Sequence, residues 1–350
     1  MDSQDKDRVA YYAAIAIFFS TLELFIPKVL PFFRLGIANI PILLSLNLPF
    51  SSFMVLVVLK GIGNSYISGN LFSVFALVSI AQSIASGVVM FGAKKVMKEQ
   101  ISNYGLSLLG ALASTYIQIY LASLYIGKAI TKLLPLMLTM SLISAIFVAF
   151  VSYKLEISHV PTLLWKEKKP SSAVVVIALA VSALSAMMIK TPLFALGAFI
   201  SALILQRIAG RKIKLLPHFF IMLAMIVSSL LTPKGRVLFS IGTFDITKLA
   251  LTTGLIKALA LSTTIAISQA YSQVLVPGQG LIGKTLAYFT ALFASFKKNE
   301  SKNILSKARE TLALSTLEES SKDKKKINNI TLLLFAVLFL LLAVLSRICP

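Results

Sequence analysis

Residues 32–41 hold the groups best suited to bind a small polar molecule in an otherwise apolar segment. Arg34 could form paired hydrogen bonds with an anionic or carbonyl-bearing ligand, and Asn39 could donate to that ligand or only cap the backbone. Prolines interrupt the chain on both sides, so the freed backbone groups must face protein, water or a ligand. We predict that this stretch covers a ligand site, although Arg34 could equally reach lipid phosphates.

Further polar residues could complete such a site. One group forms a polar turn that is either a plain connection or a second wall of the pocket. Another pair lies within a later apolar run, where a glutamine bonds either a neighbouring helix or a ligand. The turn comprises Asn64, Tyr66, Ser68 and Asn70, and the pair is Tyr116 and Gln118.

Other titratable residues favour structural roles. Glu23 stands in the first apolar run, where a carboxylate is costly unless it is paired, and an ion pair with Lys28 or Arg34 is the preferred interpretation. His159 and His218 have no second ligand at metal-binding spacing. We therefore predict no metal site.

Residues 278–285, Gly-Gln-Gly-Leu-Ile-Gly-Lys-Thr, match the phosphate-loop pattern G-x-x-x-x-G-K-T. A phosphate loop needs a strand before it and an aspartate for Mg²⁺, whereas an apolar span precedes this motif and Asp323 is the sole later aspartate. Metal-dependent diphosphate chemistry would need clustered aspartates, and the five in this chain are scattered. We predict no enzyme activity and no intrinsic cofactor, with ATP used only through partner ATPases.

The composition indicates a polytopic membrane protein. Hydrophobic residues make up 57% of the 350 residues, charged residues 13%, and the mean hydropathy is +0.87. The net charge of +21 is gathered in short clusters between apolar runs, as in cytoplasmic loops. This pattern favours the cytoplasmic (inner) membrane and argues against nucleic-acid binding. The single cysteine, Cys349, excludes an intrachain disulfide.

Apolar runs long enough for helices predict two modules. Six runs, the second of them short, and a basic cluster after the sixth predict a six-helix module over residues 1–156 with both ends cytoplasmic. A polar linker at 157–172 precedes a second module at 173–350, with about five further membrane helices. Apolar residues three and four apart predict one long cytoplasmic surface helix over 281–317.

The first module resembles the Gx transporter family, also called heptaprenyl diphosphate synthase component I. The resemblance rests on Arg-Leu-Gly-Ile-Ala-Asn at 34–39, Gly-Ile-Gly-Asn-Ser-Tyr-Ile-Ser-Gly-Asn at 61–70, and Gly110-Ala111 followed by Gln118. It implies a fold similar to the substrate-capture (S) components of energy-coupling-factor transporters, whose first outer loop covers the site. The chain departs from the family pattern at two places. Lys60 stands in place of an arginine, and Ser114-Thr115 stands in place of a histidine-asparagine pair.

The second module resembles, more distantly, the transmembrane coupling (T) component of the same transporters. Lys307-Ala308-Arg309-Glu310 stands near that family's Ala-Arg-Gly motif, with Glu310 in place of the glycine. The resemblance implies that Arg309 docks a partner ATPase, although a solvated amphipathic helix explains the segment equally well. Ala10 and Ala14 form a small face on the first helix that allows close contact with the second module or any other helix.

These features predict one component of an ATP-driven, energy-coupling-factor type uptake system for a small molecule. A vitamin, a flavin and an isoprenoid or quinone precursor all fit the sequence. The alternative is a non-transporting membrane subunit that handles a quinone, isoprenoid or flavin for electron transfer or cofactor biosynthesis. A third hypothesis is an ion-coupled carrier.

Overall fold

The predicted all-α polytopic membrane fold is confirmed. A computed structural model describes residues 2–23, 36–155, 159–165, 171–230, 235–241, 244–276, 278, 280–301, 304–319 and 327–349. Within these ranges the helices of the first module are α1 (Ser3–Glu23), α2 (Ile40–Leu44), α3 (Phe50–Ile67), α4 (Val74–Met97), α5 (Asn103–Ile126) and α6 (Leu134–Lys154).

Seven more helices follow in the described part of the second half. They are α7 (Ala173–Met188), α8 (Pro192–Ile208), α9 (Leu215–Leu230), α10 (Lys248–Val274), α11 (Leu281–Lys298), α12 (Ile304–Leu312) and α13 (Asn329–Ile348). Six helices of the described chain are long and apolar enough to cross a bilayer, namely α3, α4, α5, α6, α10 and α13. The shorter α7, α8 and α9 are also apolar.

Local sequence sets many helix ends. Ser102 caps α5 by accepting the amide hydrogen of Gly105, and Thr247 caps α10 by accepting that of Ala250. Such caps satisfy amide hydrogens that have no partner inside the helix. Proline occupies the first turn of α2, α6 and α8, where its missing N–H costs nothing.

The predicted second span is not a full helix. Residues 37–48 form a 3₁₀ turn, Ile37–Asn39, followed by the five-residue α2. Gly36 lies beside Glu23 at the end of α1, whereas Asn47 accepts a hydrogen bond from Lys94 near the end of α4. This short segment therefore crosses the module in a partly irregular conformation, inside protein that can satisfy its backbone.

The predicted long surface helix over 281–317 is instead two helices. α11 ends at Lys298 and α12 begins at Ile304. The apolar stripe of α11 does not face outward, since Leu286 is buried and Phe289 and Leu292 belong to the same buried cluster as α1. The spacing of apolar residues along α11 therefore reflects packing against other helices of this chain.

In the described ranges, two small sheets accompany the helices. β1 (Thr162–Leu164) pairs in parallel with β4 (Thr316–Glu318), which ties the region predicted as a linker to the segment after α12. β2 (Val237–Ile241) and β3 (Phe244–Thr247) are antiparallel neighbours before α10.

Helix α1 is enclosed on all sides along its apolar part. Residues 9–11 and 13–18 have no exposed surface, and α1 contacts α2, α3 and α11. The rings of Tyr11 and Tyr288 are 5.4 Å apart, and those of Phe18 and Phe296 are 5.3 Å apart. The core of the first module thus continues into α11.

A second contact between the halves is polar. The Tyr66 hydroxyl donates to the Leu275 carbonyl at 2.7 Å, and the Phe72 amide donates to the Ser268 hydroxyl at 3.2 Å. The turn between α3 and α4 therefore rests on α10. The rest of the second half is a bundle in which α10 contacts α7, α8 and α9, and α13 contacts α7 and α8.

Candidate functional site

Polar residues repeat along one face of three neighbouring helices. α4 carries Ser79, Gln82, Ser83 and Ser86, α5 carries Ser107, Ser114, Thr115 and Gln118, and α6 carries Ser141 and Ser144. Residues three, four or seven apart share one face of a helix. Since α4 packs on α5 and α5 packs on α6, these faces meet inside the module.

The polar faces surround a cavity. The space in which the centre of a water-sized molecule can move is about 70 Å³, several times the roughly 10–15 Å³ that one ordered water needs. The remaining walls come from α1, the 3₁₀ turn and α3. Together with the ten residues just named, the lining comprises Ser20, Glu23, Gly36, Ala38, Asn39, Lys60, Gly61, Asn64, Ala111, Met137, Ala145 and Val148.

Two charged residues of opposite sign line the described part of the cavity. Glu23 is 6% exposed and Lys60 is 8% exposed. Glu23 accepts a hydrogen bond from the Gly36 amide at 3.4 Å, and Lys60 donates to the side-chain oxygen of Asn39. The two charges thereby hold both ends of the 3₁₀ turn over the cavity. Gly36 has φ of +73°, a conformation that favours glycine.

Three of the residues predicted to bind a ligand meet at this cavity. Asn39, Asn64 and Gln118 all line it, and Asn64 also accepts a hydrogen bond from Ser20 at 2.7 Å. Arg34, on which the sequence interpretation was centred, lies outside the described residues, as does Lys28.

The structure does not bring the other four predicted residues to the cavity. Tyr116 is 54% exposed, because residues two apart on a helix point about 200° apart and Gln118 faces inward. Tyr66 bonds the second half. Ser68 ends α3 and Asn70 forms the following turn, where its amide donates to the Ser65 carbonyl.

Sequence reasoning missed most of the serines and gave Glu23 and Lys60 no ligand role. A usable signal was present, since serine or glutamine recurs at intervals of three, four or seven residues in three successive apolar helices. All three positions noted as departures from the related family, Lys60, Ser114 and Thr115, also line the cavity. The departures therefore fall on the wall that a ligand would touch.

The residues predicted for helix contact and coupling occupy different surroundings. Ala10 and Ala14 are fully buried in the cluster that contains Tyr288 and Leu292. Arg309 is exposed on α12, next to the buried Ala308.

The phosphate-loop match lies between two helices. α10 precedes it, and the motif's Gly283, Lys284 and Thr285 belong to the first turns of α11. Lys284 forms an ion pair with Asp7 of α1. Within the described ranges, His, Cys, Asp and Glu form no group of three that could hold a metal ion.

Comparison with known proteins identifies two regions. Residues 12–155 match the family model described as heptaprenyl diphosphate synthase component I, so the predicted resemblance of the first module is confirmed. Residues 173–274 match a domain of unknown function. No curated protein matches the chain, and no solved structure matches it. The resemblance of the second half to a coupling component stays a prediction.

Proposed function

We propose that this multi-pass membrane protein captures a small polar molecule in the cavity of its first module as one component of an uptake system. The observation that carries the proposal is the cavity itself, lined by hydroxyl, amide and charged side chains within apolar helices. Polar groups inside a membrane bundle are costly and usually mark a substrate path. A ligand that forms hydrogen bonds with them would offset that cost.

The 3₁₀ turn covers the cavity and is held there by two hydrogen bonds that a ligand could replace. Gly36 and Asn39 are held by Glu23 and Lys60, and both side-chain contacts are polar. A ligand that competes for either charged group would loosen the turn. We propose that residues 36–41 cover the site on the outer side of the cytoplasmic membrane, and that Arg34, which lies outside the described residues, contributes to ligand binding.

The energy for uptake would come from separate ATPase subunits that dock on the α11–α12 region. Two observations support this assignment. α11 is packed along α1, so a force on α11 reaches the helix that carries Ser20 and Glu23 of the cavity wall. Arg309 is exposed on α12 and is free of the buried core, as a docking residue must be.

The capture proposal is tested by mass spectrometry of small molecules retained by the detergent-purified chain, together with uptake in cells. Lys60→Met and Asn64→Leu each remove a polar group from the cavity wall, and we expect at least a tenfold loss of retention and uptake. Tyr116→Leu, on the outward face of α5, is the matched control and should change neither. Unchanged retention in both cavity variants would contradict the proposal.

The ATPase assignment needs its own experiment. Arg309→Glu should abolish co-purification of ATPase activity and reduce uptake, while ligand retention stays normal. Arg347→Glu, which reverses an exposed charge on α13, serves as the control. ATPase activity that co-purifies equally with both variants would remove the docking role from α12.

The description of the matched family as a synthase component favours one second candidate, a non-transporting subunit that handles an isoprenoid or a quinone. The polar lining of the cavity favours the capture of a polar molecule instead. Purified protein that carries a prenyl lipid or a redox chromophore, in cells that show no uptake, would decide for the subunit. We propose no catalytic step for this chain in either case.

A further inference from the structure

Five hydroxyl protons of the cavity wall are donated to other groups of the protein. Ser83, Ser141 and Ser144 donate to carbonyl oxygens of their own helices at 2.8, 2.9 and 3.1 Å. A serine hydroxyl has one proton and two lone pairs. Once its proton is bonded to the backbone, such a hydroxyl offers the cavity only lone pairs.

Two more serines follow the same pattern across helices. Ser107 of α5 donates to the Ala145 carbonyl of α6 at 2.8 Å, and Ser20 of α1 donates to the Asn64 side-chain oxygen at 2.7 Å. Both residues line the cavity. Five hydroxyls on four helices therefore present acceptors to the same space.

Two further polar atoms of the wall have no protein partner in the described chain. The Gln82 side-chain oxygen and the Ser86 hydroxyl are buried without a hydrogen bond, and Ser86 is 2% exposed. Unpaired buried polar atoms are rare in native proteins. The Gln82 oxygen can only accept, so its missing partner must be an O–H or N–H group.

The two charged residues of the cavity wall, Glu23 and Lys60, offer a ligand different hydrogen-bonding groups. The Glu23 carboxylate is an acceptor and already takes one weak bond from the Gly36 amide at 3.4 Å. The Lys60 ammonium is a donor but is engaged with Asn39. The side-chain amide of Asn64 contributes further donors, so the acceptor excess lies on α4 and α6 rather than on every wall.

We infer that the cavity selects a small molecule with several O–H or N–H donors, such as a polyol or a protonated amine, and rejects acceptor-only anions. This inference rests on the proposed function, because it assigns a ligand class to the same cavity. A site built to accept from ligand hydroxyl or amino groups discriminates strongly against analogues that lack them, because its buried acceptors are then left unpaired.

The inference is tested on the full-length chain in detergent with four probes of similar size. They are a linear pentitol, its fully O-methylated ether, 1,4-diaminobutane and succinate. Binding is measured by calorimetry and by the shift in thermal unfolding temperature. We expect the pentitol or the diamine to bind at least tenfold more tightly than the ether and succinate. The tighter binder of the two shows whether the ligand's donors are hydroxyl or amino groups.

Variants of the wall locate the binding. Gln82→Leu and Ser144→Ala should each weaken the better probe about tenfold, whereas Gln82→Glu keeps an acceptor and should retain binding. Ser201→Ala is the matched control, since Ser201 donates to the Gly197 carbonyl of α8 in the same way but lies away from the cavity.

Results that differ from these expectations separate the donor preference from the proposal that the cavity captures a ligand. If succinate binds best and Lys60→Met abolishes that binding, the donor preference is wrong while capture by the cavity stands. If no probe binds and Lys60→Met leaves uptake unchanged, both proposals fall. Equal binding of the pentitol and its ether would also overturn the donor preference.

Discussion

The two halves of the molecule use the same small polar residues in opposite ways. In the first module serine side chains on α4, α5 and α6 surround open space. In the second half they close helix seams. The Gln206 amide of α8 donates to the Gln269 side-chain oxygen of α10 at 2.7 Å, and the Ser229 hydroxyl of α9 donates to the Ala250 carbonyl of α10 at 2.8 Å.

Alanine explains much of this difference. The seams among α7, α8 and α10 contain Ala178, Ala198, Ala202 and Ala266, each with at most 1% exposure. Small side chains let helices approach closely, which brings the side chains of Gln206 and Gln269 within hydrogen-bonding distance. Polar residues in apolar helices therefore become a ligand site only where the helix faces that carry them leave a space between them, as they do in the first module.

The largest effect should come from breaking the seam between α1 and α11. Phe18 is fully buried against Phe296, and Phe18→Ala should lower the free energy of unfolding by about 3–5 kcal/mol. Phe220→Ala removes a ring that is 59% exposed and should cost far less. Thermal unfolding in detergent measures both. Equal losses would show that α1 does not join the two halves.

Close helix approach can be tested in both halves with glycine variants. A Cβ at Gly61 would lie 2.9 Å from Ile80, and a Cβ at Gly254 would lie 2.9 Å from Ser229. Gly61→Ala and Gly254→Ala should each destabilise the protein by about 1–3 kcal/mol.

The glycine control is Gly92→Ala. A Cβ there meets nothing within 4 Å, so alanine should stabilise α4 by up to about 1 kcal/mol. If Gly61→Ala behaved like Gly92→Ala, α3 and α4 would not be in tight contact beside the cavity.

The sharpest test of the comparison replaces one unpaired hydroxyl in each half. Ser86 lines the cavity and Ser262 lies in a closed seam, and neither hydroxyl has a partner in the described chain. Ser86→Ala and Ser262→Ala should both be nearly neutral for stability, since no hydrogen bond is lost. Ligand retention should fall about tenfold, or about 1.4 kcal/mol, in Ser86→Ala alone. Equal ligand retention by the two variants would show that the Ser86 hydroxyl does not contact the ligand.

The smallest effect is expected from the ion pair of Asp7 and Lys284. Both side chains are partly exposed, so Lys284→Gln should lower stability by less than about 1 kcal/mol and by less still at high salt. Uptake should not change. A complete loss of uptake with normal stability would reopen the question of a nucleotide at residues 278–285.

The sequence predicted the helices well because hydrophobic runs and capping residues act locally. It also placed Asn39, Asn64 and Gln118 among ligand candidates, and all three line the cavity. It could not show the serine wall, because a single serine in a membrane helix usually bonds its own backbone. Only the relative rotation of α4, α5 and α6 reveals that these residues share one space.

Two other failures have long-range causes. The amphipathic pattern of α11 was assigned to a free surface, since nothing in residues 281–298 indicates that α1 covers their apolar face. Tyr116 was grouped with Gln118 by nearness in sequence, although a separation of two residues turns them to opposite sides of α5.

The enclosure of α1 has a consequence for how the protein is made. The Tyr11 hydroxyl donates to the Leu312 carbonyl at 3.4 Å, across 301 positions of the chain. The ribosome therefore releases α1 long before α11 and α12, which complete its enclosure, exist. Helix α1 can pack on α3 soon after both are made but on α11 only much later, so the first half completes its fold only after α11 has been synthesised.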